Sequence, residues 1–60
     1  MEMNFGFFMS VIDGQQIIKV EDYNTRKLMY EGKKVDCPCF DIIVIGVWTD
    51  SNGTLIIAGC

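Results

Sequence analysis

Residues 42–58 read Ile42-Ile43-Val44-Ile45-Gly46-Val47-Trp48-Thr49, then Asp50-Ser51-Asn52-Gly53, then Thr54-Leu55-Ile56-Ile57-Ala58. Two apolar runs flank a turn. Their β-branched side chains lose rotamer freedom in a helix and pack well on a pleated surface. Asn52-Gly53 supplies the positive φ angles that a two-residue hairpin demands. With that turn, Trp48 falls opposite Ile57 and Val47 opposite Ala58. Both faces of the hairpin are then apolar, whereas a surface hairpin alternates apolar and polar. Either the domain covers both faces, as a small barrel does with help from its N-terminal segment, or another copy or partner covers one. Trp48, Val47, Ile45 and Ile56 are the candidate interface residues.

Working outward, the same chemistry recurs. Eight Ile, five Val and three Thr stand against two Leu and one Ala, so the chain reads as mainly strand. Gln16 to Asp22 forms one strand, with Ile18 and Val20 on one face and Ile17, Lys19 and Glu21 on the other. Tyr23-Asn24-Thr25 turns the chain, with Asn24 tolerant of left-handed geometry. Arg26 to Glu31 returns, placing Leu28 and Tyr30 together on one face, and Gly32 breaks or bulges the strand. Asp36-Cys37-Pro38-Cys39 reads as a turn or a single helical turn, because Pro38 blocks a ladder hydrogen bond. Residues 5–12 fit two periods. Phe5, Phe8, Met9 and Ile12 have helical spacing behind an Asn4 cap, while Phe5, Phe7, Met9 and Val11 alternate as in a strand. We read a short helix ending at Asp13-Gly14.

The chain has 60 residues, net charge -3 and no histidine. That length makes one small domain, residues 1–60. Half of the residues are hydrophobic, unlike a disordered tail. No apolar run approaches the roughly 18 residues of a membrane span. The N-terminus lacks the basic region of a signal peptide. A cytoplasmic location is therefore expected, with thiols kept reduced. The mild acidity argues against nucleic acid as a partner. So small a domain buries only about 60% of its unfolded surface. Oligomerisation is the expected helper, because three cysteines cannot pair fully within one chain.

The absence of histidine removes most acid–base, nucleophile and zinc constellations. Asp13, Asp22, Asp36, Asp41 and Asp50 fall at turns, where Asp bonds nearby backbone amides. No catalytic residue and no cofactor is expected, and the chain reads as non-enzymatic. Cys37 and Cys39, one residue apart, can share a soft metal, with Cys60 as a third ligand. The plainer reading makes them small apolar residues in a turn. Arg26, Lys33 and Lys34 lie on or beside the first hairpin and are candidates for a phosphate-bearing ligand. Equally, they guard an exposed edge.

The order Gln16-x-Ile18-x-Val20-x-Asp22, then Tyr30-Glu31-Gly32, an Asp36/Pro38 joint, Val44-x-x-Val47 and Leu55-x-Ile57 resembles a group of short orphan proteins. These are encoded by bacteriophages and integrated mobile elements of gut and other Gram-positive bacteria. The resemblance spans Ile12 to Ala58 and implies an N-terminal helix packed on an antiparallel sheet. It implies no activity and no catalytic residue. Cys37-Pro38-Cys39 departs from the group's more acidic, helical joint.

The expected architecture is mainly β: a short N-terminal helix on a four-stranded antiparallel meander, curled toward an SH3-like, partly open barrel. The expected function is that of a phage accessory protein in the bacterial host cell. It would be a homo-oligomer that binds a host protein and blocks a defence system. The alternatives are an oligomeric binder of a nucleotide-like ligand and a small cysteine metal-binding protein.

Overall fold

A computed structural model describes residues 3–60 of the chain. Five strands and one helix follow the order β1 (Met3–Asn4), α1 (Phe5–Ser10), β2 (Ile17–Asp22), β3 (Leu28–Lys33), β4 (Ile43–Thr49) and β5 (Leu55–Gly59), with a single 3-10 turn at Lys34–Asp36. The strands form one sheet in the spatial order β1-β4-β5-β2-β3.

The N-terminal segment resolves its two competing periods as a helix. Asn4 caps it, its side chain accepting from the Phe7 amide at 2.7 Å, which satisfies one of the orphan donors of the first turn. Phe5 and Met9, one turn apart, are buried, and Phe8 and Ile12 pack at the margin of the core. The helix stops two residues before the expected limit. Asp13 then makes a turn, its carboxylate accepting from the Gln15 amide and its carbonyl from the Gln16 amide.

The sheet is mixed and open, which corrects the antiparallel meander and the barrel. A meander would set β3 beside β4. Instead β2 lies between β3, its antiparallel partner, and β5, to which it runs parallel with Ile18 in register with Leu55 and Val20 with Ile57. The reason lies in the segment between β3 and β4. A parallel pair needs a crossover rather than a hairpin, and residues 34–42 supply it, with Cys37, Phe40 and Ile42 packed against the core. Gln16 reinforces the pairing, its side-chain amide donating to the carbonyl of Gly53 at 2.9 Å. Strands β1 and β3 remain as free edges, so the sheet does not close. The two-residue β1 was not expected. It pairs with Ile43 and Val44 of β4.

The register of the β4–β5 hairpin also differs from expectation. Trp48 pairs with Ile56 and Val47 with Ile57. The connection is longer than two residues. The Asp50 carboxylate accepts from the amides of Asn52 and Thr54, the Asp50 carbonyl accepts from the Gly53 amide, and Gly53 takes φ 81°. This is a turn with a left-handed glycine at its end. One added residue moves every side chain to the other face relative to the partner strand.

Ile18, Val20, Ile57 and Phe5 are almost wholly buried. They lie where α1 and the crossover cover one face of the sheet, and the Phe5 and Phe40 rings meet edge to face at 5.5 Å. No buried polar or charged side chain occurs among the described residues.

Candidate functional site

The opposite face of the sheet carries Ile17, Lys19 and Glu21 from β2, Ile56 and Ala58 from β5, and Trp48 from β4. Among the described residues, α1 and the crossover pack on the inner face, while on this face Ala58 is fully buried and Ile56 half-buried. Ile17 and Trp48 stay 41% and 39% exposed. Ile17 opens β2 and Trp48 is next to last in β4, and each leaves apolar surface open to solvent.

The structure brings together only part of the expected interface. Trp48 and Ile56 are cross-strand partners on the open face. Val47 pairs with Ile57 and so belongs to the side that α1 packs on, yet is 40% exposed. Ile45 stands at an irregularity between Val44 and Gly46. A second irregularity, between Val20 and Glu21, pairs Val20 with Tyr30 but Glu21 with Leu28. Leu28 is thereby turned away from the side of Tyr30 and is exposed, a correction to their expected common face.

Trp48 owes its pose to a space and a cation. Its ring approaches Gly46, where a Cβ would lie 3.1 Å from the ring edge. The Arg26 guanidinium lies over the ring at 5.4 Å from its centroid. Arg26, in the β2–β3 turn, takes φ 63°, so Arg26 and not Asn24 is the left-handed residue. Its amide donates to the Asp22 carbonyl at 2.8 Å. The Asp22 carboxylate holds the amides of Asn24 and Thr25. Arg26 also approaches Glu21 at 3.8 Å, and Lys19 approaches Glu31 at 3.7 Å. The open face thus mixes apolar side chains with both signs of charge, Lys19 standing in register with Ile56 and Glu21 with Ala58.

Arg26, Lys33 and Lys34 do not converge. Arg26 precedes β3, while Lys33 and Lys34 stand at its far end. A six-residue strand separates them by about 20 Å at ~3.3 Å per residue, too far for one phosphate.

Cys37, Cys39 and Cys60 are free thiols. The first two line a solvent-open cleft of about 290 Å³ between α1 and the crossover, together with Met9, Ser10 and Lys34. Cys60 lies elsewhere, beyond β5, exchanging backbone hydrogen bonds with Ile43. No group of three His, Cys, Asp or Glu side chains among the described residues could hold a metal ion. The Cys37 thiol is half-buried and donates to the Pro38 carbonyl at 3.2 Å. Burial pushes its pKa up, a charge on Cys39 would push it the same way, and Lys34 pulls it down.

Asp13, Asp22 and Asp50 each bind backbone amides of their own turns, as Asp does at turns. No helix among the described residues is long and apolar enough to cross a membrane. Compared with protein-family models, curated proteins and solved structures, the chain matches none.

Proposed function

We propose that this chain is a non-enzymatic binding protein whose working surface is the open face of its sheet, and that the face first pairs two copies of the chain. The observation that carries the reading is Trp48, 39% exposed and paired across strands with the half-buried Ile56, on the same face as the 41% exposed Ile17. Aromatic side chains in such settings are frequent anchors of interfaces. The molecule's larger extents, 25 and 22 Å, limit the face to roughly 550 Å², so two copies hide at most about 1,100 Å² in all, near the lower end for a specific interface. A weak, concentration-dependent dimer follows. Lys19, Glu31, Arg26 and Glu21 set both signs of charge on or beside the face, which suits a two-fold contact where each cation meets a partner's anion.

The biological role we propose rests on the resemblance to phage and mobile-element proteins. In that role the dimer is an accessory protein that binds a host protein, and the expected partner is a component of a defence system.

Light scattering behind size exclusion, over a range of concentrations in reducing buffer, tests the first part. Twice the chain mass is expected, falling on dilution, with Trp48→Asp monomeric and still folded by circular dichroism. A wild-type chain that stays monomeric at every concentration overturns it. Affinity capture from a Gram-positive host lysate tests the second part. One stoichiometric protein is expected, and an empty capture counts against the accessory role.

A further inference from the structure

Three sulfur-bearing residues line one cleft. Cys37 and Cys39 come from the crossover and Met9 from the last turn of α1. The crossover leaves the 3-10 turn with the Cys37 amide donating to the Lys34 carbonyl at 3.0 Å, and Cys37 then adopts an extended backbone. Pro38 fixes φ between the two thiols and so limits how far they can move apart. On the opposite wall stands Gly6, where a Cβ would lie 3.8 Å from the Cys39 sulfur. The two thiols and the thioether therefore approach one solvent-open space from two elements, with α1 anchored by buried Phe5 and Met9 on one side and a proline on the other.

The donor set selects its ligand. Soft thiolate and thioether sulfurs favour copper(I), while structural zinc takes four ligands, usually with thiolate or imidazole. The chain has no histidine, and the described residues gather no third Cys, Asp or Glu ligand. Two thiolates and one thioether suit a low-coordinate, closed-shell monovalent ion. Binding releases two protons as two thiols become thiolates, and the resulting complex carries one negative charge. Lys34 lines the same cleft and supplies the countercharge.

We propose that the cleft between α1 and the Cys37-Pro38-Cys39 crossover binds copper(I) through the two thiolates, with Met9 as the third sulfur. This site is separate from the open sheet face, and either proposal can fail without the other.

The test is an anaerobic titration of the reduced chain with copper(I) against a coloured copper(I) chelator, with ultraviolet absorbance following thiolate-to-copper charge transfer. One copper(I) per chain is expected. Cys60→Ser should leave the affinity unchanged. Cys37→Ser and Cys39→Ser should each lower it by more than about 100-fold, since loss of even outer-shell partners costs about 10–100-fold. Cys39 is exposed, so Cys39→Ser tests the site without disturbing the core. Met9→Leu, which keeps the apolar volume, should weaken binding by a smaller factor. The proposal is overturned by no competition with the chelator, by unchanged affinity in Cys39→Ser, or by an equal loss in Cys60→Ser. Tighter binding of zinc than of copper(I) overturns it as well.

Discussion

The guanidinium of Arg26 sits 5.4 Å from the centroid of the Trp48 ring, and it reaches there from a backbone at φ 63°. A left-handed backbone costs an L-residue about 1 kcal/mol. A cation–π contact at an exposed site returns about 0.5–1 kcal/mol, and the long exposed contact to Glu21 adds little. The two effects nearly cancel, so two substitutions separate them. Arg26→Gly removes both the strain and the contact and should leave stability almost unchanged. Arg26→Ala keeps the strain and loses the contact, and should unfold about 1 kcal/mol more easily than Arg26→Gly. Urea unfolding measures the difference. Equal midpoints, or a more stable Arg26→Ala, would show that the turn carries no such strain.

Three glycines should respond to alanine in a fixed order. At Gly53, with φ 81°, a Cβ meets nothing within 4 Å, so only the backbone cost of about 1 kcal/mol applies. At Gly32, φ is 151° and a Cβ would lie 2.8 Å from the Tyr30 hydroxyl, so the cost rises to about 1–3 kcal/mol. At Gly59 a Cβ would lie 2.5 Å from the Ile43 carbonyl oxygen. That neighbour is backbone of the adjoining strand and cannot swing aside. Thermal melts should rank Gly53→Ala above Gly32→Ala, with Gly59→Ala lowest. A Gly59→Ala chain as stable as Gly53→Ala would contradict the close approach of β4 and β5.

What was legible in the chain was local. Asn4 announced the helix start, and Asp13, Asp22 and Asp50 announced their turns, because each bond closes within a few residues. Both hairpins follow from adjacent runs of Ile and Val. The pairing of β2 with β5 was not legible, because Ile18 and Leu55 meet across the whole intervening chain and no residue pattern encodes that partner. The β4–β5 register was legible only in part. Asp50 at the start of a turn and Gly53 at its fourth position form a recognised pattern, but Asn52-Gly53 inside it suggests a shorter turn. On the open face, Trp48 and Ile56 were both legible as interface candidates, whereas their being partners depended on that register. The cleft beside Cys37 and Cys39 needed the packing of α1, which brings Met9 to it.

Alkaline pH should loosen the β3 edge through Tyr30. Its hydroxyl donates to the Lys33 carbonyl at 2.7 Å, and only the neutral phenol can donate. Desolvation pushes the Tyr30 pKa above its ordinary value, and the charges of Asp36 and Cys37 push it further the same way. A raised folded-state pKa contributes stability below the unfolded value, about 10, and loses it as pH rises through the folded value. The wild-type melting temperature should therefore fall more steeply above about pH 10 than that of Tyr30→Phe, which has no proton to lose. Parallel pH profiles for the two chains would rule the mechanism out.

Ile57 and Trp48 lie on opposite faces of adjoining strands, and their loss should read out differently. Ile57 is fully buried among Ile18, Val20 and Phe5. Truncating such a residue to alanine costs about 2–5 kcal/mol, while a single core of this size rarely supplies more than about 3–5 kcal/mol. Ile57→Ala should lose its cooperative melt. Trp48→Ala removes a side chain 39% exposed on the sheet's other face, so it leaves no enclosed cavity in the core. Its far-ultraviolet circular dichroism should match wild type. If the open face pairs two copies, wild-type melting rises with protein concentration, because only the folded chain associates, and Trp48→Ala loses that dependence. A concentration-independent wild-type melt, with Trp48→Ala shifted downward by a constant amount, would make Trp48 a packing residue of the single chain instead.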